Sequence, residues 1–151
     1  MNSPFDLSKP IAIGSDHAGY DIKEDLISFL EAKSLPYEDF GTHSKDSVDY
    51  PDFAHPVASA VESGAYAFGI LLCGTANGVA ITANRHPGIR AALCWGEEIA
   101  QLTREHNDAN IICIPGRFVR EGDAEKMLEI FMTTPFEGGR HQRRVDKMAC
   151  V

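Results

Sequence analysis

Two kinds of apolar pattern alternate along this chain. In "IAIG" (11–14), "FGILLC" (68–73) and "ANIICIPG" (109–116) nearly every position is apolar, as in strands covered on both faces. Elsewhere the apolar positions spread to helical spacing. "YDIKEDLISFLEAK" puts Ile22, Leu26, Ile27 and Leu30 on one helix face, and "SLP" stops it. "YEDF" reads as a second strand and "GTHSKDSVDYP" as a shaped loop. Residues 53–63 form a small-residue helix around Val57 and Val61, ended by Gly64. A helix starts near Asn77, "IRAALCW" is a fourth strand, and "EEIAQLTREH" and "EGDAEKMLEIFMT" are helices on either side of the fifth strand. Five strands separated by helices predict a three-layer α/β sandwich on a five-stranded, parallel, Rossmann-like sheet. The tail "GGRHQRRVDKMACV" is basic and helical in pattern only through Val145 and Met148.

Length and charge narrow the classes. With 151 residues the chain is read as a single domain, 1–151, able to bury a core without staples. Fourteen Lys+Arg against 22 Asp+Glu give a net charge of −8, which repels nucleic acid and anionic lipid. The start "MNSPFDLSKP" lacks the basic and apolar regions of a signal peptide, and no apolar run is long enough to span a membrane. Cys73, Cys94, Cys113 and Cys150 form no C-x-x-C pair, so free thiols in a reducing cytoplasm are expected.

Polar residues collect where strands end. "SDHAG", "CGTANG", "WGEE" and "PGR" all follow strands, and α/β sheets bind ligands beyond their strands' carboxyl ends. "CGTANG" runs from a strand into a helix, so its amides suit an anion or oxyanion; the bland reading is an ordinary turn. It is no dinucleotide fingerprint, because no G-x-G-x-x-G exists, and a Walker A lysine is lacking as well. Cys73 at its head is either a packed core thiol or a base held among amides. Asp16 and His17 follow the first strand as a surface pair or as site residues. His106 in "REHNDAN" either caps a helix or shuttles protons. His43, His55, His86 and His141 have no spacing partner that suggests a metal. Arg140 and Arg144 share a helical face after a "GG" turn, which suits either a phosphate or a solvated face paired with acidic neighbours. Together these parts fit proton abstraction beside a carbonyl on a small anionic substrate, with no cofactor and no metal. A cysteine phosphatase would need arginine six residues beyond the nucleophile, where this chain has Val79. A non-enzymatic anion-binding module of flavodoxin-like shape is the alternative.

The stretches "IAIGSDHAGY", "DYPDFA", "GILLCGTANG", "ITANR", "GIRAAL", "REHNDAN" and "EGGRHQRRV" carry a resemblance across residues 11–148. The chain resembles the ribose-5-phosphate isomerase B family of sugar-phosphate isomerases, which also holds the galactose-6-phosphate isomerase subunits. The resemblance implies a metal-free homodimer, or a tetramer, with sites shared between subunits. It also implies interconversion of D-ribose 5-phosphate and D-ribulose 5-phosphate through a cis-enediolate. By resemblance, Cys73 is the base, Thr75 passes protons among oxygens, and the loop from Gly74 through Asn77 to Gly78 cradles the enediolate. His106, with Asp16 nearby, opens the furanose ring. His17, Arg140 and Arg144 hold phosphate, Tyr50 and Asn107 touch substrate, and a tail helix over about 137–149 packs on a partner. A six-carbon phosphosugar substrate and a non-catalytic sugar-phosphate module are the alternatives. The chain departs from the family pattern at Ala76, where relatives have glycine, and at Glu98 and Ile99, where relatives show a Tyr-Ser pair. An alanine forced to positive φ would be strained, and a carboxylate facing a phosphosugar would be unfavourable.

Overall fold

The computed structural model describes residues 1–120 and 122–149; Cys150 lies outside the described residues. The strands are β1 (Ile11–Ser15), β2 (Tyr37–Asp39), β3 (Gly69–Cys73), β4 (Ala91–Leu93) and β5 (Ile111–Pro115). The helices are α1 (Tyr20–Ala32), α2 (Pro51–Glu62), α3 (Asn77–Ala83), α4 (Glu97–Asn107), α5 (Asp123–Thr133) and α6 (Arg140–Asp146). All strand pairs are parallel, in the order β2-β1-β3-β5-β4. The three-layer sandwich expected from the alternating runs is therefore present. α1, α4 and α5 cover one face of the sheet and α2 and α3 the other.

The continuous apolar runs divide residue by residue between the two cores. Ile11, Ile13, Ile70, Leu72, Ile112 and Ile114 join the α1/α4/α5 side. Ala12, Leu71, Cys73, Ile111 and Cys113 join the α2/α3 side. Period-two alternation with an apolar residue at each step is what a strand buried on both faces requires. β4 is shorter than its apolar run because it lies at the sheet's edge. There Asn84 imitates a further strand, donating from Nδ2 to the Ala91 oxygen and accepting the Ala91 N–H on Oδ1, both at 2.8 Å. Such side-chain pairing blocks edge-to-edge addition.

Two helices depart from their sequence patterns. α2 starts at Pro51, ahead of the expected Phe53, because proline suits a helix's first position. On α1, Leu26, Ile27 and Leu30 are buried as expected, while Ile22 is only partly covered and Lys23 is fully buried. Its Nζ donates to both Asp39 carboxylate oxygens, at 2.9 and 2.8 Å, and to Glu24 at 3.0 Å. A buried ammonium is tolerated only with such partners. Asp39 also accepts the Gly41 N–H, and the Gly41 carbonyl accepts the Ser15 N–H at 2.7 Å, so the strut holds the end of β1. Among the described residues no helix is long and apolar enough to cross a membrane.

Candidate active site

The expected site residues fall into two groups at opposite ends of the sheet. The carboxyl ends of β1 and β3 carry Asp16, His17 and Cys73. α4 begins beside the carboxyl end of β4 and runs back, so His106 and Asn107 lie just before Ile111, the first residue of β5. α6 packs against α4 and adds Arg140 and Arg144 to this lower end. Within one chain Asp16 and His106 therefore lie at opposite ends of the sheet, because each βα unit returns its helix terminus to the strands' amino ends.

At the upper end, the Asp16 carboxylate accepts the N–H groups of Ala18 at 2.9 Å and Gly19 at 3.2 Å, capping a short 3-10 turn. Beside it, His17 Nδ1 accepts the Val48 N–H at 3.2 Å, which ties the long loop before α2 to the end of β1. Cys73 closes β3 and is 5% exposed. The other two described thiols are fully buried, and burial pushes Cys94 up to about 12 and Cys113 well above its ordinary value. Thr75 Oγ1 accepts the Asn77 N–H at 3.3 Å and so helps start α3. Among the described residues no hydrogen bond occupies the N–H groups of Gly74, Thr75 or Ala76. Tyr50 lies so close over Gly78 that a Cβ there would fall 2.6 Å from its ring. Any larger residue at that position would have to displace the Tyr50 ring.

Ala76 adopts φ 64° and ψ −6° and is fully buried. The left-handed backbone expected at this departure is present, with alanine bearing it. Glu98 lies in the first turn of α4 and is exposed, on the edge-strand side, where a carboxylate is favoured by the helix dipole. Ile99 packs against the α1/α4/α5 core. Arg117 was missed by the sequence reading: its N–H donates to the Gly74 oxygen at 3.1 Å and its side chain covers Gly74. It stands in "PGR", so the strand-end signal that singled out Cys73 applied equally to it.

The lower end is pinned by a second missed residue. The Arg104 guanidinium, 2% exposed, donates to the Thr134, Ala109 and Asp108 oxygens and stacks over Phe5 and Phe131. It fixes the last turn of α4, which Asp108 ends at φ 47°. The tail helix spans Arg140–Asp146, shorter than the 137–149 read from the sequence, and turns its one buried residue, His141, onto its own chain. The His106 and His141 rings stack at 4.3 Å with planes 13° apart, and the Glu137 carboxylate lies 3.4 Å from His106 Nε2. His141, without a partner in sequence, thus has one in space. Ligand atoms of the three lie within 4.8 Å of one another. Two nearly parallel stacked rings do not converge their in-plane lone pairs on one ion, and neighbouring arginines oppose a cation. Arg140, Arg143 and Arg144 are exposed, as on a solvated face, but have no acidic partner among the described residues. A groove of about 850 Å³ at this end is lined by Arg90, Asn107, Val145 and Met148, far from Cys73.

The comparisons agree with this architecture. The sequence model of the Ribose/Galactose Isomerase family matches residues 11–148. The chain is 39% identical to ribose-5-phosphate isomerase B of Escherichia coli K12 over 143 residues, 95% of this chain and 96% of that one. The crystal structure of a ribose 5-phosphate isomerase from Thermotoga maritima superposes with a TM-score of 0.92 at 48% identity, covering 95% of this chain and 99% of that chain. The ribose-5-phosphate isomerase B of Mycoplasma genitalium, solved with bound ribulose-5-phosphate, gives 0.90 at 41% identity, covering 95% of each chain. With the match running from the first residue of β1 through α6, the chain belongs to the ribose/galactose isomerase family.

Proposed function

We propose that this protein is an aldose–ketose isomerase that interconverts D-ribose 5-phosphate and D-ribulose 5-phosphate. The observation that carries the reading is Cys73 at the head of a loop with free amides, on a chain similar along nearly its whole length to ribose-5-phosphate isomerases. Its free thiols fit a reducing cytoplasm. The working unit is a homodimer or larger, each site joining the upper end of one copy to the lower end of the next. Exposed Trp95, Phe118 and Ile81, at 64%, 73% and 66%, suit such a contact.

In such a site Asp16, His17, Tyr50 and Cys73 of one copy face His106, Asn107, Arg140 and Arg144 of the partner subunit. The arginines and His17 bind phosphate, and Arg117 adds positive charge beside the loop. His106, with Asp16 of the Cys73-bearing copy beside it, moves the anomeric hydroxyl proton to the ring oxygen as the C1–O4 bond breaks. The Cys73 thiolate then removes the C2 proton. The electron pair moves into a C1=C2 bond and the charge develops on O1, where amides of the Gly74–Gly78 loop meet it. O1 takes a proton, Thr75 helps pass the O2 proton on, and Cys73 returns its proton to C1. Carbon, oxygen and proton counts are unchanged, so no oxidant is involved.

The test is conversion of ribose 5-phosphate, ribulose 5-phosphate and aldohexose 6-phosphates by wild type and Cys73→Ala. Turnover on the pentoses that falls at least about a hundredfold in the variant, with binding retained, supports the reading. Turnover on hexose phosphates alone would make the substrate six-carbon, and binding without turnover would make this a binding module.

A further inference from the structure

The lower end contains more than the proposed reaction has used. Gly138 and Gly139, at φ 66° and 55°, fold the tail back onto α4 and start α6. The return is fastened at both sides of that turn: the Glu137 N–H donates to the Glu105 oxygen at 3.0 Å, and the His141 N–H donates to the Gly138 oxygen at 3.0 Å. It brings the Glu137 carboxylate to 3.4 Å from His106 Nε2 and lays the His141 ring flat on the His106 ring. His141 is 7% exposed although its neighbours on α6 are exposed. A tail that served only to present arginines would need neither contact.

We propose that Glu137 and His141 are positioning residues for His106: the carboxylate selects the tautomer protonated on Nε2, and the stacked ring holds the imidazole plane. This inference rests on the role proposed above for His106. An ionised carboxylate only accepts hydrogen bonds, so it favours the proton on the nitrogen facing it. That leaves the Nδ1 lone pair as the base that collects the anomeric proton and returns it to the ring oxygen. The arrangement follows the general logic of a base oriented by a third group. Stacking removes the ring's second freedom, rotation about its own bonds. The two contacts fix different coordinates, so each loss should be felt separately.

The experiment uses the full-length protein. Long-range ¹H–¹⁵N spectra should show His106 protonated at Nε2 in the wild type and a tautomer mixture in Glu137→Gln. Single-turnover traces then compare cyclic ribose 5-phosphate with ribulose 5-phosphate, which forms no furanose ring while its 5-hydroxyl is phosphorylated. Glu137→Gln and His141→Ala should each slow reaction from the cyclic aldose at least about tenfold, leaving isomerisation of the open ketose within twofold. His141→Phe, which keeps a stacking ring, should restore most of the rate and guards against a packing defect in the alanine variant. A wild-type proton on Nδ1, or normal ring opening in both Glu137→Gln and His141→Ala while His106→Asn is slow, overturns this inference alone. Normal ring opening in His106→Asn overturns the role of His106 and this inference with it.

Discussion

The separation of Cys73 from His106 within one chain makes subunit mixing decisive. β3 has five residues, and at about 3.3 Å of rise between neighbours Gly69 and Cys73 are roughly 13 Å apart. Cys73 closes its carboxyl end, while Gly69 pairs with Ile111 at the other, just beyond His106. A five-carbon phosphosugar measures about 9 Å along its bonds from C1 to phosphorus, at about 1.5 Å for each bond. A substrate of that length seated on Cys73 falls short of the other end of the strand. In the proposed shared site, Cys73→Ala and Arg144→Ala should therefore damage opposite halves.

In a two-fold dimer each homodimer is defective at both sites, whereas a heterodimer places both defects in one site and leaves the other intact. Random pairing at equal concentrations gives heterodimers half the time, with half their sites intact, so about a quarter of wild-type activity returns. The Cys73→Ala parent should lie at or below about 1%, since losing a general base costs about 10²–10⁴, and the Arg144→Ala parent, assayed at substrate well under KM, should lose most of its activity through weaker phosphate binding. Purified, doubly tagged heterodimers should reach half of wild type. Folded heterodimers with no more activity than their parents would refute the shared site and leave the arginines serving their own chain.

Three further outcomes follow from the environments described. With burial pushing Cys94 up to about 12 and Cys113 well above its ordinary value, alkylation of the folded protein at pH about 8 should mark Cys73 and spare those two; label on either in a peptide map would contradict their burial. Ala76→Gly relieves about 1–2 kcal/mol of left-handed strain but gives up about 0.8 of methyl burial and about 0.5–1 of chain entropy. Its melting temperature should therefore stay within about 4 °C of wild type, while β-branched Ala76→Val falls clearly further; equal stability of Ala76→Val would refute the strain. Burial first, then His106 and Arg140, hold the His141 imidazole below its ordinary value, so the unfolded chain takes up a proton that the folded chain resists. Stability should be complete above about pH 6.5 and decline as pH falls from there towards the folded value, and His141→Phe should flatten that part of the denaturation profile.

What was legible in the sequence depended on how local the signal was. β3 and β5 lie within the ends of their apolar runs because both faces of each strand are covered, so the pattern and the burial coincide. Lys23 shows the limit. Helical spacing offered Ile22 for the buried face, but Asp39, sixteen residues on, neutralises a lysine there, and no local pattern reveals that partner. Arg104 is the same case, a charge buried between Phe5 and Phe131 from opposite ends of the chain. The split of the site was accessible earlier. "CGTANG" follows a strand and "REHNDAN" ends a helix, and in a parallel α/β sheet those two positions lie at opposite edges. A pocket of one chain holding both Cys73 and His106 is therefore at odds with that fold, whereas sites shared between subunits are compatible with it. The conflict has two resolutions: one of the residues lies outside the reaction, or the reacting unit contains more than one copy. Among the described residues, three arginines near His106 without an acidic partner and loop amides beside Cys73 without an acceptor are what two halves of the proposed phosphosugar site would present, and that favours the second.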